Sequence, residues 1–227
     1  MPNFYTLTNR FKEDVVDKNN LAVCSILGLA LAVASSTANA GTKTFKCSGS
    51  GTVVDLPIDP DGDSCFTAAN GATVCTDASG QTDLSGSCSP GGAFTTKNVV
   101  EVDPVPGSGC NIGGTVVPGL ASCTLANGGE QGCAFQAVGG AEVDRNKPTG
   151  DLLFSTQAQT FCWDLSSGPP FNFTGTFENT ISGGTGKNAG ATGSSSGTFH
   201  GQTLTLDPAF HGLGWVEVNS EGTITTP

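Results

Sequence analysis

The sequence predicts an all-β fold, either a sandwich or a closed barrel of roughly seven to nine short strands. Three observations carry this. Glycine supplies 33 of 227 residues against one methionine, and no amphipathic helical stretch follows residue 40. Glycine weakens helix interiors, whereas threonine, valine and phenylalanine suit a pleated sheet. Several segments also alternate apolar and polar residues with the period of two that a strand imposes. Finally, eight of the nine cysteines follow residue 40, an even number suited to stapling a loop-rich domain.

Residues 1–40 read as a secretory signal peptide with a long leader. Leu21 to Ala34 is an apolar run too short to span a bilayer comfortably, and Ala38-Asn39-Ala40 places small residues where a signal peptidase cuts. In the leader, Arg10, Lys12 and Lys18 are offset by Glu13, Asp14 and Asp17. A basic excess is missing there, which points to a true start downstream of Met1, at Val15, Val16 or Leu21. The expected mature chain is one domain, Gly41 to Pro227, secreted into the medium or periplasm and without a membrane span. Because the leader is neutral, the formal net charge of −11 belongs entirely to this mature part. Such a surface repels phosphate backbones, which argues against nucleic acid and anionic membranes as partners.

The elements follow in order. Lys43 to Asp55 reads as a first strand that leads into a Cys-rich loop over 59–92, with Cys65, Cys75 and Cys88. Phe94 to Asp103 alternates clearly: Phe94, Thr96, Asn98, Val100 and Val102 share one face. Pro104 and Pro106 end it, and a second Cys-rich loop spans 107–132. Cys133 to Asp144 and Asp151 to Gln159 read as a strand pair, which Phe161 to Asp164 continues. The clearest strand is Phe171 to Ile181, where Phe171, Phe173, Phe177 and Ile181 share a face with Gly175. A mid-strand glycine marks a bend or bulge of the kind barrels use at corners. After the Gly183-Gly184 turn come Thr198 to Leu206, then Leu213 to Val218, with Glu221 to Thr225 extending the last strand.

The mature cysteines are Cys47, Cys65, Cys75, Cys88, Cys110, Cys123, Cys133 and Cys162. None forms the C-x-x-C of zinc or redox sites, so four disulfides are expected, as local staples within the two long loop regions. Asp59, Asp61 and Asp63 alternate as calcium loops begin and are candidate metal ligands, although Asp-Pro-Asp-Gly-Asp is also an ordinary turn. No other cofactor is expected. Gly193-Ser194-Ser195-Ser196-Gly197 matches the nucleophile-elbow pattern in letters only, since a strand rather than a helix follows it. His200 shares a face with Gln202, Leu204 and Leu206, and Glu217 shares one with Leu213 and Trp215. Together they form a candidate lumenal acid–base pair.

Phe177 to Gly193, which contains Ile181-Ser182-Gly183-Gly184-Thr185-Gly186-Lys187-Asn188-Ala189-Gly190-Ala191-Thr192-Gly193, resembles the "ITGGTGRFAGATG" segment of bacterial secreted proteins with an allene oxide cyclase barrel-like domain, close in architecture to dirigent proteins. Phe94 to Glu101, Gly150-Asp151-Leu152-Leu153-Phe154 and Cys162-Trp163-Asp164 resemble further strands of that family. Lys187-Asn188 stands where the family usually has Arg-Phe. The resemblance implies a single antiparallel barrel of about eight strands and identifies no catalytic residue. It leaves two functions: a secreted non-catalytic barrel that binds a small apolar ligand or acts at the cell surface, and an isomerase- or cyclase-like enzyme acting on an apolar substrate in the lumen.

Overall fold

The computed structural model describes residues 40–57, 65–67, 73–75, 78–126, 131–166, 168–207 and 211–227. The strands among them are β1 (Gly41–Pro57), β2 (Cys65–Thr67), β3 (Thr73–Cys75), β4 (Ala78–Ser89), β5 (Gly92–Pro104), β6 (Pro106–Ile112), β7 (Thr115–Leu120), β8 (Ser122–Thr124), β9 (Gln131–Asn146), β10 (Leu152–Trp163), β11 (Phe171–Gly184), β12 (Thr192–Asp207) and β13 (His211–Thr226). A single 3-10 turn, Gly186–Asn188, is the one helical element among the described residues.

Eight strands pair side by side in the order β10-β11-β12-β13-β1-β4-β5-β9, every neighbour antiparallel, and β9 pairs back onto β10. The sheet is therefore a closed ring, the all-β architecture of about eight strands that the sequence implies. Closure leaves none of the eight with a free edge along its length. β8 extends the pairing beyond the ring along one end of β9.

Two expected loops prove to hold strands. The 59–92 segment contains β4, a full member of the ring between β1 and β5. Its inward row is Gly80, Thr82, Leu84, Gly86 and Cys88, too small and mixed to give a hydrophobic period. The 107–132 segment contains β6, β7 and β8. Ile112, Leu120 and Leu165 close one end of the ring over Val102, Phe135, Trp163, Phe171 and Phe173, forming one apolar cluster. Gly113 N–H donates to the Leu165 carbonyl at 2.9 Å and holds this cap in place.

The three disulfides among the described residues are not local loop staples. Cys47–Cys88 links facing residues of β1 and β4, Cys110–Cys133 ties β6 to β9, and Cys123–Cys162 ties β8 to β10. They close separations of 41, 23 and 39 residues, so each pins a segment to the ring itself. Bridges of that reach stabilise by about 2–4 kcal/mol each, mainly through the unfolded chain. The backbone register sets Cys65 opposite Cys75 in the β2–β3 pair.

Inside the ring, large residues lie against absent side chains. Phe173 faces Gly201, Phe177 faces Gly197, and Phe199 faces Gly175 across the β11–β12 pairing. A Cβ on Gly201 would stand inside contact distance of the Trp215 carbonyl oxygen and the Phe173 ring. Phe199 in turn lies 6.2 Å from Phe161 and Phe173 and 6.5 Å from Phe177, centroid to centroid. Each buried ring contributes about 1.5–3 kcal/mol, and only because glycine makes room for it.

Urea unfolding of Gly201→Ala is expected to show a loss of about 2 kcal/mol from overpacking. Gly139→Ala, where a Cβ meets nothing within 4 Å, is expected to stay within about 0.5 kcal/mol of the parent. Equal effects at the two sites would contradict this packing.

Candidate functional site

Strict alternation along β9 from Phe135 and Ala137 would turn Ala141 and Val143 inward and the carboxylates out. A bulge at Val138 reverses this. Against β5 the register steps from Val102↔Ala137 to Glu101↔Gly139, and β10 shows the matching step between Gln159↔Ala137 and Thr156↔Ala141. Beyond the bulge Glu142 lies opposite inward-facing Asn98, and Asp144 opposite Thr96. One extra residue thus re-aims two carboxyl groups into the lumen, a use to which bulges are often put.

Hydroxyl and carboxamide groups surround the pair. Asn179 Nδ2 donates to Glu142 Oε1 at 2.8 Å, Ser155 Oγ donates to the same oxygen at 3.3 Å, and Gln157 Nε2 donates to Oε2 at 3.4 Å. Thr96 Oγ1 donates to Asp144 Oδ1, and Asn98 Nδ2 donates to Gln157 Oε1. The ion pairs among the described residues, Lys46–Glu221, Lys97–Asp83 and His200–Glu217, all lie on the outer surface, so no cation offsets this pair. Burial, reinforced by the adjacent Asp144 charge, pushes the Glu142 carboxyl from its ordinary 4.5 up to about 8. Burial raises Asp144 as well, against the lowering effect of the Thr96 hydrogen bond. At neutral pH Glu142 therefore retains its proton.

The pair stands in the wall of a cavity of about 480 Å³ that fills the half of the ring away from the β6–β7 cap. Its walls are mainly apolar, with Phe45, Leu84, Phe94, Phe177, Ile181 and Val218 around the two acids. The β4–β5, β9–β10 and β11–β12 turns frame its mouth, where Lys187, Asp151 and Gly91 contribute to the lining. A smaller chamber of about 90 Å³ lies deeper and shares Leu84, Glu142, Phe177 and Val218 with the first. Phe171, Phe173, Phe177 and Trp163 do point inward, as their alternation suggests. They fill one half of the lumen and leave the other hollow.

His200 and Glu217 meet, but not in the lumen. They are cross-strand neighbours with Nε2 3.4 Å from Oε2, on the outer face, with side chains 52% and 55% exposed. The inward row of β12 is instead Gly193, Ser195, Gly197, Phe199, Gly201 and Thr203. Those positions are small because the rings of β11 occupy the space. The apolar Leu204 that suggests the other parity is itself 52% exposed. Asp59, Asp61 and Asp63 lie outside the described residues, and among the described residues no cluster of three or more metal-ligating side chains occurs. Gly193 to Gly197 runs straight through β12 and makes no elbow.

Glu142 and Asp144 are the site residues that sequence reasoning misses. The one signal was Gly139-Gly140 in mid-strand, the mark of a bulge. No family model matches the chain, and neither does any curated protein or solved structure.

The raised carboxyl pair makes stability depend on pH with a definite sign. Glu142 stays protonated in the folded state to about 8 and ionises from 4.5 when unfolded. Its contribution is therefore complete below 4.5 and lost as pH climbs to 8, at up to about 1.4 kcal/mol per pH unit. Urea unfolding at pH 5, 6.5 and 8 is expected to show falling stability, with Glu142→Gln flattening the trend. Stability that rises over this interval would contradict the burial of the pair.

Proposed function

We propose that this protein is an exported binding barrel that holds one small, mainly apolar molecule in its lumen. The observation that carries this reading is the cavity of about 480 Å³, apolar over most of its wall with a few convergent polar groups on one side. That combination and size are characteristic of small-molecule sites. Export is supported by the leader and by the three disulfides among the described residues, bonds that persist in oxidising compartments. No helix among the described residues is long and apolar enough to cross a membrane. The motif resemblance to bacterial allene oxide cyclase barrel-like proteins supports the same reading of a secreted barrel.

One observation favours a second reading, an isomerase- or cyclase-like enzyme. A carboxyl group protonated near neutral pH beside a second carboxyl can give and take a proton at a bound substrate. Binding without turnover remains the preferred function, because the groups that contact the pair are amides and hydroxyls that titrate outside the working range.

Titration of the intact protein with neutral 3-phenylpropanol, followed by NMR, is expected to give saturable binding that perturbs cavity residues. Ser195→Phe, which projects a ring into the cavity, is expected to weaken it at least ten-fold while the far-UV spectrum stays unchanged. Unsaturable binding, or equal affinity in the variant, would count against a lumenal site.

A further inference from the structure

We propose that the mouth end of the ring docks against the anionic surface of a lipid bilayer, through a collar formed by Lys43, Arg145, Lys147 and Lys187. This goes beyond the binding reading above and does not rest on it.

The net charge of −11 weighs against such a partner only if charge is spread evenly, and it is not. The Lys and Arg residues that follow residue 40 are Lys43, Lys46, Lys97, Arg145, Lys147 and Lys187. Lys46 and Lys97 are engaged by Glu221 and Asp83 on the outer wall. The other four are exposed, form no ion pair among the described residues, and all stand at one end of the ring. Lys43 and Lys187 line the cavity mouth. Arg145 lies opposite Leu152 where β9 nears its end, and Lys147 follows in the β9–β10 turn. Asp151 stands among them, but its Oδ2 already accepts a hydrogen bond from Thr149 Oγ1 at 2.9 Å. Glu142 and Asp144 face into the lumen and away from a surface laid across the mouth.

The collar is held in place by its own turns. Lys147 N–H donates to the Ala93 carbonyl at 2.9 Å and Asn146 Nδ2 to the Gly91 carbonyl at 2.8 Å, which ties the β9–β10 turn to the β4–β5 turn. Thr185 N–H donates to the Leu152 carbonyl at 2.9 Å and Leu152 N–H to Thr185 Oγ1 at 2.9 Å. Those two bonds fix the turn that carries Lys187.

The acids of the outer wall are too far away to cancel this charge. At about 3.3 Å per residue and a tilt of about 40°, Glu178 stands about 15 Å behind the mouth, and Glu101 and Glu217 about 20 Å or more. Charges are screened within about 8–10 Å at ordinary salt. A surface facing the mouth therefore meets four cations and little of the acidic wall. β6, β7 and β8 at the opposite end contain no Lys or Arg, so the charge is polarised along the ring and turns the mouth toward an anionic partner.

A second feature favours a bilayer over a soluble polyanion. Val143 and Phe154, cross-strand neighbours on the outer face just behind Arg145, are 38% and 36% exposed. Cations beside exposed apolar side chains suit the boundary between headgroups and acyl chains. Docked in this way, the cavity opens onto the bilayer.

The test is co-sedimentation of the protein, as recovered from cells, with vesicles of phosphatidylcholine alone or with about 30% phosphatidylglycerol, in about 0.1 M salt. Binding is expected to the anionic vesicles only, and to weaken at least ten-fold as salt rises to about 0.5 M. Lys43→Gln with Lys187→Gln is expected to weaken it about ten-fold. Lys97→Gln with Thr198→Glu, which lowers the net charge equally but on the outer wall, is expected to stay within about two-fold of the parent. Equal losses in the two variants would overturn the collar. Failure to bind anionic vesicles, with or without binding to dextran sulfate, would overturn the bilayer as partner and leave the lumenal binding reading standing.

Discussion

Three of the four inward phenylalanines of the β11–β12 pair, Phe173, Phe177 and Phe199, lie opposite a glycine, and this exchange of large for small determines what the ring can enclose. Eight closed strands give an interior about wide enough for side chains to fill. At the β6–β7 end it is filled: Phe173 and Phe177 lie over Gly201 and Gly197, Phe199 lies over Gly175, and Ile112 and Leu165 cap the stack with no exposed surface. Toward the other end the inward rows of β4 and β12 shrink to glycine, serine and cysteine, and β1 turns only Gly49 and Cys47 inward before Phe45. No large side chain reaches across there, and the cavity is what remains. Packing and hollow are thus set by the same rows of residues, read at their two ends.

The bulge in β9 places chemistry in that hollow. Glu142 and Asp144 could have been outward, solvated and of no consequence. Turned inward, they are desolvated, which raises both pKa values, and the neighbouring Asp144 charge raises that of Glu142 further. A chain selected for stability alone would place apolar residues there, since buried charge without a partner destabilises. The amide and hydroxyl groups around the pair soften that cost and hold the carboxyls in fixed directions.

How much of this was legible in the sequence differs from strand to strand, for physical reasons. β5 and β11 announce their inward faces because Val100, Val102, Phe171, Phe173 and Phe177 are large and strictly alternate. β4 does not, since its inward row sits against the close-packed β1 backbone and must be small. On β12 the inward face is glycine-rich to admit the rings of β11, so Leu204 and His200 suggest the opposite parity, and the lumenal role read into His200 and Glu217 goes with it. In β9 alternation fails outright at Val138, because periodicity cannot see an inserted residue. The places where pattern reading breaks down are thus the rows that shape the cavity and the strand that carries its acids, as is expected where function departs from local regularity.

The account depends most directly on the protonation of Glu142. Side-chain carboxyl ¹³C shifts followed from pH 3 to pH 10 in the intact, ligand-free protein would measure it. One glutamate resonance titrating near 8, assigned by its loss in Glu142→Gln, is the expected result. A Glu142 resonance titrating between about 4 and 5 like a solvated carboxylate would contradict the buried pair and, with it, the lumenal site.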